Sequence, residues 1–312
     1  MNKLLAMAVF SALLVSGCIG QGGGTTTPVG EPIGVEITDF AVEPSSVFSG
    51  STARVIMNIQ NNGGANMLTD PALSTKPMGL ILLIAASDWK FTSGLSNESW
   101  VKVLKRADPA TGQTAGQDIF RWSMTAPALS KGQTRTDNII GRIYYDYETV
   151  ARGSVWIYPE SERDSATAGA TFSTTDGPLK MTIKVDPDPP VLKQTESFTL
   201  TINLENIGTG TVYKNGTAFY NNTEDKFYYN IDENKKNLVT LEVNAPGLSD
   251  DDKCSGSTEE LLGSSTQSPK ITMYCDMSLN SELNAKQNYP ITVRAVYGYY
   301  TEKVGQVTIS GK

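Results

Sequence analysis

Residues 142–147 (RIYYDY) return as residues 294–299 (RAVYGY), 152 positions later in a chain of 312 residues. Both segments carry tyrosines at alternate positions, namely Tyr145, Tyr147, Tyr297 and Tyr299. Side chains of a β-strand point alternately to its two faces, so this spacing places the tyrosines on one face of a strand. A recurrence at so long a period predicts a duplicated β-domain, because solenoid repeats are much shorter.

A second shared stretch precedes each tyrosine segment. Residues 58–63 (NIQNNG) match residues 203–208 (NLENIG) at a distance of 145 positions. Apolar and polar side chains alternate here as in a strand with one buried face. The predicted inward residues are Ala53, Val55, Met57, Ile59, Phe198, Leu200, Ile202 and Leu204. A slip of one residue would expose every one of them, so the shared parity indicates that the structure is duplicated as well.

Each copy is predicted to begin with a strand, near 35–40 or 180–185, that ends at a proline turn. The tyrosine strand is predicted to turn at 148–151, or at 300–303 in the second copy, into a last strand. Inward residues of the two last strands are Val155, Ile157, Val307 and Ile309. Short antiparallel strands of this kind are typical of a two-sheet sandwich.

The composition supports an all-β protein without catalytic chemistry. Thr, Ser, Asn, Gly, Tyr and Val dominate, and the polar stretches 92–117 and 221–267 are predicted to be long loops. The formal net charge of −7 argues against a nucleic-acid partner. The absence of histidine removes Ser-His-Asp and Cys-His mechanisms and His-ligated zinc. We therefore predict no enzyme activity, no catalytic residues, no cofactor and no bound metal.

The amino end is typical of an exported lipoprotein. Residues 4–15 form an apolar run behind Lys3, too short to span a membrane, and Val-Ser-Gly-Cys ends the segment at Cys18. This end resembles a lipobox, which implies a lipid on Cys18; an ordinary signal peptide cleaved nearby is the alternative. The lipid would anchor the protein to the cell membrane on its extracytoplasmic face.

The predicted order of segments follows from these features. After the signal peptide (1–17) comes a lipidated flexible tether (18–31), whose Gly, Thr and Pro residues show no apolar periodicity. Two β-sandwich domains follow, at 32–160 and 178–312, and the polar residues 161–177 are predicted to link them.

The paired stretches VIMNIQNNGGA and LTINLENIGTG, each ahead of a tyrosine-rich strand, resemble immunoglobulin-like domains. The nearest group is the CARDB-like domains of archaeal and bacterial surface proteins, which implies two tandem immunoglobulin-like sandwiches and a binding or adhesion role. The tyrosine pairs also resemble the tyrosine corner of such folds, where a phenol bonds backbone.

Cys254 and Cys275 are the remaining cysteines, and an even pair in an exported protein predicts a disulfide; two buried free thiols are the alternative. The bridge is expected to join a long loop to a strand at 270–277. The acidic run Asp250, Asp251 and Asp252 is interpreted as a solvated loop in preference to a calcium site. Asp186 and Asp188 are a weaker calcium candidate, explained equally by a proline turn. Acceptor patterns for glycosylation occur at Asn97, Asn215 and Asn221.

The aromatic group Phe219, Tyr220, Phe227, Tyr228 and Tyr229 fits core packing better than a sugar-stacking platform. Our first functional hypothesis is a non-catalytic, lipid-anchored surface protein that contacts other surface proteins or envelope polymers. The alternative is a surface lipoprotein that captures a solute or glycan, which requires a concave pocket lined by aromatic side chains. An exported hydrolase is the least favoured hypothesis.

Overall fold

The computed structural model describes residues 34–68, 79–94, 97–193, 196–217, 219–221, 226–229, 231, 233–250, 254, 258–261 and 269–312. Cys18, the signal peptide and the tether lie outside the described residues, as do Asp251 and Asp252. No helix in the described part of the chain is long and apolar enough to cross a membrane.

Alternating apolar residues form twenty strands within these ranges. They are β1 Val35–Glu43, β2 Ser46–Phe48, β3 Thr52–Asn61, β4 Gly79–Ile84, β5 Lys90–Gly94, β6 Glu98–Val101, β7 Gln117–Thr125, β8 Thr134–Pro159, β9 Ala170–Thr174, β10 Leu179–Asp186, β11 Val191–Leu192, β12 Ser197–Asn206, β13 Thr211–Tyr213, β14 Phe219–Asn221, β15 Lys226–Tyr228, β16 Leu238–Asn244, β17 Leu248–Asp250, β18 Thr258–Leu261, β19 Lys270–Leu279 and β20 Gln287–Ser310. Two short 3₁₀ helices lie at Glu160–Ser165 and Glu233–Lys235.

Three sheets form the body of the protein, and their orders repeat the sequence duplication. One four-stranded sheet has the order β1-β3-β7-β5, and the other has the corresponding order β10-β12-β19-β17. The third and largest sheet has the main order β18-β16-β20-β8-β4-β6. From its centre outward it consists of two corresponding series of three strands, β8-β4-β6 and β20-β16-β18. The all-β sandwich fold is therefore confirmed. The number of domains stays a prediction.

The centre of the large sheet is the antiparallel pair β8 and β20. It runs without a break from Gln287 opposite Ile157 to Ser310 opposite Thr134. Tyr147 pairs with Tyr297, and Tyr145 pairs with Tyr299. Exchanging the two copies turns each of these pairs into the other. The arrangement therefore has a local pseudo-two-fold axis, which passes through the pair of Asp146 and Gly298.

The predicted turns at 148–151 and 300–303 are wrong, because both segments lie inside these long strands. Thr149 is fully buried, and its hydroxyl lies 3.0 Å from the hydroxyl of Tyr297 and from the carbonyl oxygen of Leu179. Glu148 forms an ion pair with Arg294 on the adjacent strand. The polar residues that suggested a turn thus have partners across the sheet.

The far end of each long strand lies against the other copy. β2 pairs in parallel with the end of β20, where Val47 is opposite Ile309. β11 pairs in the corresponding way with the end of β8, where Val191 is opposite Tyr158. Residues 32–312 form one compact unit. The predicted bounds at 160 and 178 are not tested by this arrangement and remain a prediction.

Three further predictions concern the linker, the long loops and the inward-facing residues. The segment 161–177 contains β9, which pairs with β8. The stretches 92–117 and 221–267, predicted to be loops, contain β6 and β16, which extend the large sheet. The predicted inward residues are confirmed: Ala53, Val55, Met57, Ile59, Phe198, Leu200, Ile202 and Leu204 are all at most 1% exposed.

Candidate functional site

The predicted disulfide is present. The Sγ atoms of Cys254 and Cys275 are 1.99 Å apart, and both residues are buried. Cys275 lies on β19, and the carbonyl oxygen of Cys254 accepts a hydrogen bond from the Val243 amide on β16. The bridge therefore joins the segment after β17 to the strand that was predicted to receive it.

The candidate glycosylation sites differ in their surroundings. Asn97 is exposed. Asn215 is partly buried, and its Oδ1 accepts a hydrogen bond from the Thr240 hydroxyl at 3.1 Å. Asn221 ends β14, and its side chain lies outside the described part of the structure. Attachment of glycans to these residues stays a prediction.

The acidic residues proposed for calcium fall into two groups. Asp250 ends β17, but its side chain and its two acidic neighbours lie outside the described residues. Asp188 accepts a hydrogen bond from the Ala170 amide at 2.9 Å, which fixes the start of β9. Among the side chains that the structure describes, no group of three Cys, Asp or Glu residues could hold a metal ion.

The four repeated tyrosines are structural and carry matching hydrogen bonds. Tyr147 accepts from the Ala65 amide at 3.0 Å, and Tyr299 accepts from the Gly210 amide at 2.6 Å. In the same way Tyr145 and Tyr297 accept from amides at the starts of β1 and β10, those of Val35 and Leu179. Burial raises the pKa of all four phenols. The phenols do form hydrogen bonds with the backbone, as in a tyrosine corner, but the bonded backbone groups are far away in the sequence.

The candidate binding site lies on the opposite, outward face of the large sheet. Here a cavity of about 480 Å³, which we name the tyrosine groove, is lined by Leu82, Ile84, Arg142, Tyr144, Tyr229, Ile231, Lys236 and Tyr300. Its size is within the range of small-molecule pockets. Strand β4 and the first part of β8 belong to the first copy, whereas Tyr229, Lys236 and Tyr300 belong to the second. The groove therefore needs both copies.

Aromatic rings form the floor and one wall of the tyrosine groove. Tyr144 is almost fully buried, and its ring centroid lies 5.3 Å from that of Tyr300 and 6.1 Å from that of Tyr229. Tyr213 supports the floor from the side, with its centroid 6.2 Å from that of Tyr144. Burial raises the pKa of Tyr144 and raises that of Tyr229 to about 12, so both phenols are neutral at physiological pH.

Arg142 is held beside these rings by hydrogen bonds at three of its donors. Nη1 donates to the Tyr144 hydroxyl at 2.8 Å, and Nε donates to Glu302 at 2.8 Å, with Nη2 directed at the same carboxylate. The guanidinium carbon lies 4.9 Å from the ring centroid of Tyr300, within cation–π range. Burial opposes the charge, but bonds to Tyr144 and Glu302 leave the pKa of Arg142 raised.

The duplicated position in the other copy lacks these features. Arg294 corresponds to Arg142, but Val296 stands where Tyr144 stands, and Glu148 stands where Tyr300 stands. Arg294 instead forms ion pairs with Glu148 and Glu242, at 2.7 and 2.6 Å. Among the described residues, the aromatic groove therefore occurs at one of the two related positions and is not a consequence of the shared fold.

Sequence reasoning placed the aromatic group of interest in residues 219–229; Tyr229 lines the groove, and the side chains of the other four aromatic residues lie outside the described part of the structure. It overlooked Tyr144 and Tyr300. The available signal was their parity, since each sits beside the inward tyrosines and therefore points outward.

Neither a family model nor a curated protein matches this chain. The resemblance to CARDB-like immunoglobulin domains consequently stays a prediction, whereas the all-β sandwich stands on the strand pairing.

Proposed function

We propose that this protein is a non-catalytic, lipid-anchored surface protein that binds a component of the cell envelope in the tyrosine groove. The observation that carries the binding part is the groove itself, a concave aromatic site that both copies build and that the duplicated position lacks. Fixed aromatic rings beside a small number of polar groups are what recognition sites commonly use. The lipobox-like end at Cys18 supports a location of this site outside the cell.

The anchor rests on the lipobox-like sequence ending at Cys18, and its test is separate from that of the groove. The full chain is produced in an exporting host, and membranes are separated from soluble material. The wild-type protein is expected in the membrane fraction, and Cys18→Ser is expected to leave it. A wild-type protein that is exported but recovered soluble would remove the anchor from the proposal.

The binding part is tested by photo-crosslinking in intact envelopes. A photoreactive amino acid at Lys236 places the reactive group at the groove. The control position is Ile119, which is 47% exposed on β7 in a different sheet. An adduct formed at position 236 and absent at 119 is expected. Equal labelling at the two positions, or none at either, would contradict binding in the groove.

Capture of a soluble small ligand is the second candidate, and the cavity volume of about 480 Å³ favours it. Washing of the sedimented envelopes distinguishes the two candidate ligands. An envelope component stays in the sedimented material, whereas a captured solute is removed from the protein by dialysis.

A further inference from the structure

We propose that the tyrosine groove binds an uncharged sugar unit and that the adjoining outer face of the large sheet holds further units of the same glycan chain. This inference rests on the proposed function and names the chemical class of the ligand. A sugar ring presents C–H groups on its faces and hydroxyls around its edge. It therefore suits a site that offers aromatic surface and hydrogen-bonding groups side by side.

The hydrogen-bonding groups beside the rings have capacity left for such a ligand. A guanidinium has five N–H donors, and the bonds to Tyr144 and Glu302 use three of those of Arg142. Both Arg142 bonds to Glu302 go to Oε2, so Oε1 of the same carboxylate accepts none of them. A donor and an acceptor next to each other match neighbouring hydroxyls, each of which both donates and accepts.

The described charged side chains around the groove balance each other. Arg142 pairs with Glu302, while the carboxylate of Glu98 accepts a 2.8 Å bond from the Tyr229 hydroxyl close to Lys236. Among the side chains that the structure describes there, two cationic and two anionic groups give no net attraction for a phosphate or a carboxylate. The balance favours an uncharged ligand.

Beyond the groove the same outward face continues along β8 and β20 as a series of cross-strand pairs. Ile140 is opposite Val304, which is 53% exposed. Next come Asn138 and Gln306, joined at 3.2 Å, and then the two threonine hydroxyls of positions 136 and 308, 3.3 Å apart. At about 3.4 Å per residue, this face extends roughly 27 Å from Tyr144. Amide and hydroxyl side chains along it suit a hydroxyl-rich chain better than an apolar peptide.

The experiment measures binding of defined oligosaccharides to the exported chain by titration calorimetry. The probes are uncharged oligomers of glucose, mannose, galactose and N-acetylglucosamine, a uronic-acid oligomer as the charged probe, and a proline-rich peptide as the rival ligand. At least one uncharged oligomer is expected to bind, with longer chains binding more tightly. Tyr300→Ala is expected to weaken that binding about tenfold, because a lost aromatic contact of this kind costs about 1.4 kcal/mol.

Two variants separate a lost contact from a lost fold. Arg142→Lys keeps a cation but loses the forked donors, and it is expected to weaken sugar binding while the thermal transition stays that of the wild type. Arg294→Lys makes the same change at the duplicated position and is expected to leave binding unchanged. Equal effects of these two variants would overturn the proposal, as would an undiminished affinity in Tyr300→Ala.

The remaining outcomes separate the ligand class from the proposed function. Failure of every uncharged oligomer to bind, while photo-crosslinking at Lys236 still captures a component, would overturn the sugar class and leave binding in the groove standing. Binding of the proline-rich peptide that depends on Tyr300 would do the same, since aromatic grooves also bind such peptides. Absence of both sugar binding and crosslinking would end both proposals.

Discussion

Replacement of Tyr147 by Phe tests whether the repeated tyrosines hold the two layers of the sandwich together. The Tyr147 hydroxyl is buried, accepts a hydrogen bond from the Ala65 amide at 3.0 Å and donates to the Ala65 carbonyl at 2.8 Å. In Tyr147→Phe the ring remains, so little packing is lost. The Ala65 carbonyl keeps its bond from the Asn61 side chain at 2.9 Å. The Ala65 amide is left without the partner that it has in the wild type.

The expected loss follows from that single orphaned donor. Leaving one buried amide unsatisfied costs about 1–3 kcal/mol, so the free energy of unfolding should fall by about 2 kcal/mol. The duplication supplies an independent repeat of the experiment. In Tyr299→Phe the Gly210 amide loses its 2.6 Å bond, while the Gly210 carbonyl keeps its 3.0 Å bond from Asn206. Both variants should therefore be less stable than the wild type, and Tyr299→Phe should lose less because Gly210 is only partly buried.

Urea unfolding at neutral pH, followed by far-ultraviolet circular dichroism, measures both values. The midpoint should fall while the slope m stays that of the wild type, which indicates a change in stability alone. Tyr274→Phe is the matched control, because Tyr274 is 65% exposed on β19 and its change should stay within about 0.5 kcal/mol. If Tyr147→Phe is as stable as Tyr274→Phe, the reasoning from the buried phenol is refuted.

Three further predictions concern the titration of the phenols, the disulfide and the pairing of the two long strands. Folding raises the pKa of the buried phenols, that of Tyr229 to about 12, so the folded state favours neutral tyrosine. The contribution of the phenols to stability should be constant below pH ~10 and fall as the pH rises further. A stability that stays flat from pH ~10 to pH ~12, measured beside tyrosinate absorbance, would contradict this. Loss of the bridge in the double variant Cys254→Ser/Cys275→Ser should lower the free energy of unfolding by about 3 kcal/mol, given the separation of 21 residues, and an unchanged urea midpoint would argue against it. A protease site inserted after Asp164, in the exposed 3₁₀ helix, should yield two fragments that elute together in size-exclusion chromatography, because β8 and β20 pair along their whole length; separate elution would indicate two independent domains.

The sequence was sufficient for the fold class and for the faces of the strands. Alternation across Phe198, Leu200, Ile202 and Leu204 predicted the buried side correctly, because one buried face leaves a periodic signal in the residues themselves. It could not say which copy supplies each neighbouring strand. Two similar copies offer similar edges, and pairing within a copy or between copies satisfies the same alternation. The predicted turn at 148–151 came from assuming that each copy pairs with itself.

The groove could not be predicted from the sequence, for a different reason. Its lining comes from β4, β8, β20 and the residues Tyr229, Ile231 and Lys236, which are far apart in the chain and meet through the pairing of the two copies. Tyr144 and Tyr300 become neighbours through the register that places one opposite the other. The predicted disulfide needed no such information, because only two cysteines remained to pair.

The axis between the copies explains why the groove forms on one side of it and not at the related position on the other side. A true two-fold axis would place identical residues on both strands where it passes, but here Asp146 is opposite Gly298. A Cβ on Gly298 would lie 2.0 Å from the Tyr213 ring, so the absence of a side chain there makes room for that ring. Across the axis, Asp146 accepts a 2.9 Å bond from the Gly216 amide and fixes the segment that carries Tyr213. Because Tyr213 packs against Tyr144, the unlike pair on the axis supports the aromatic floor on one side alone.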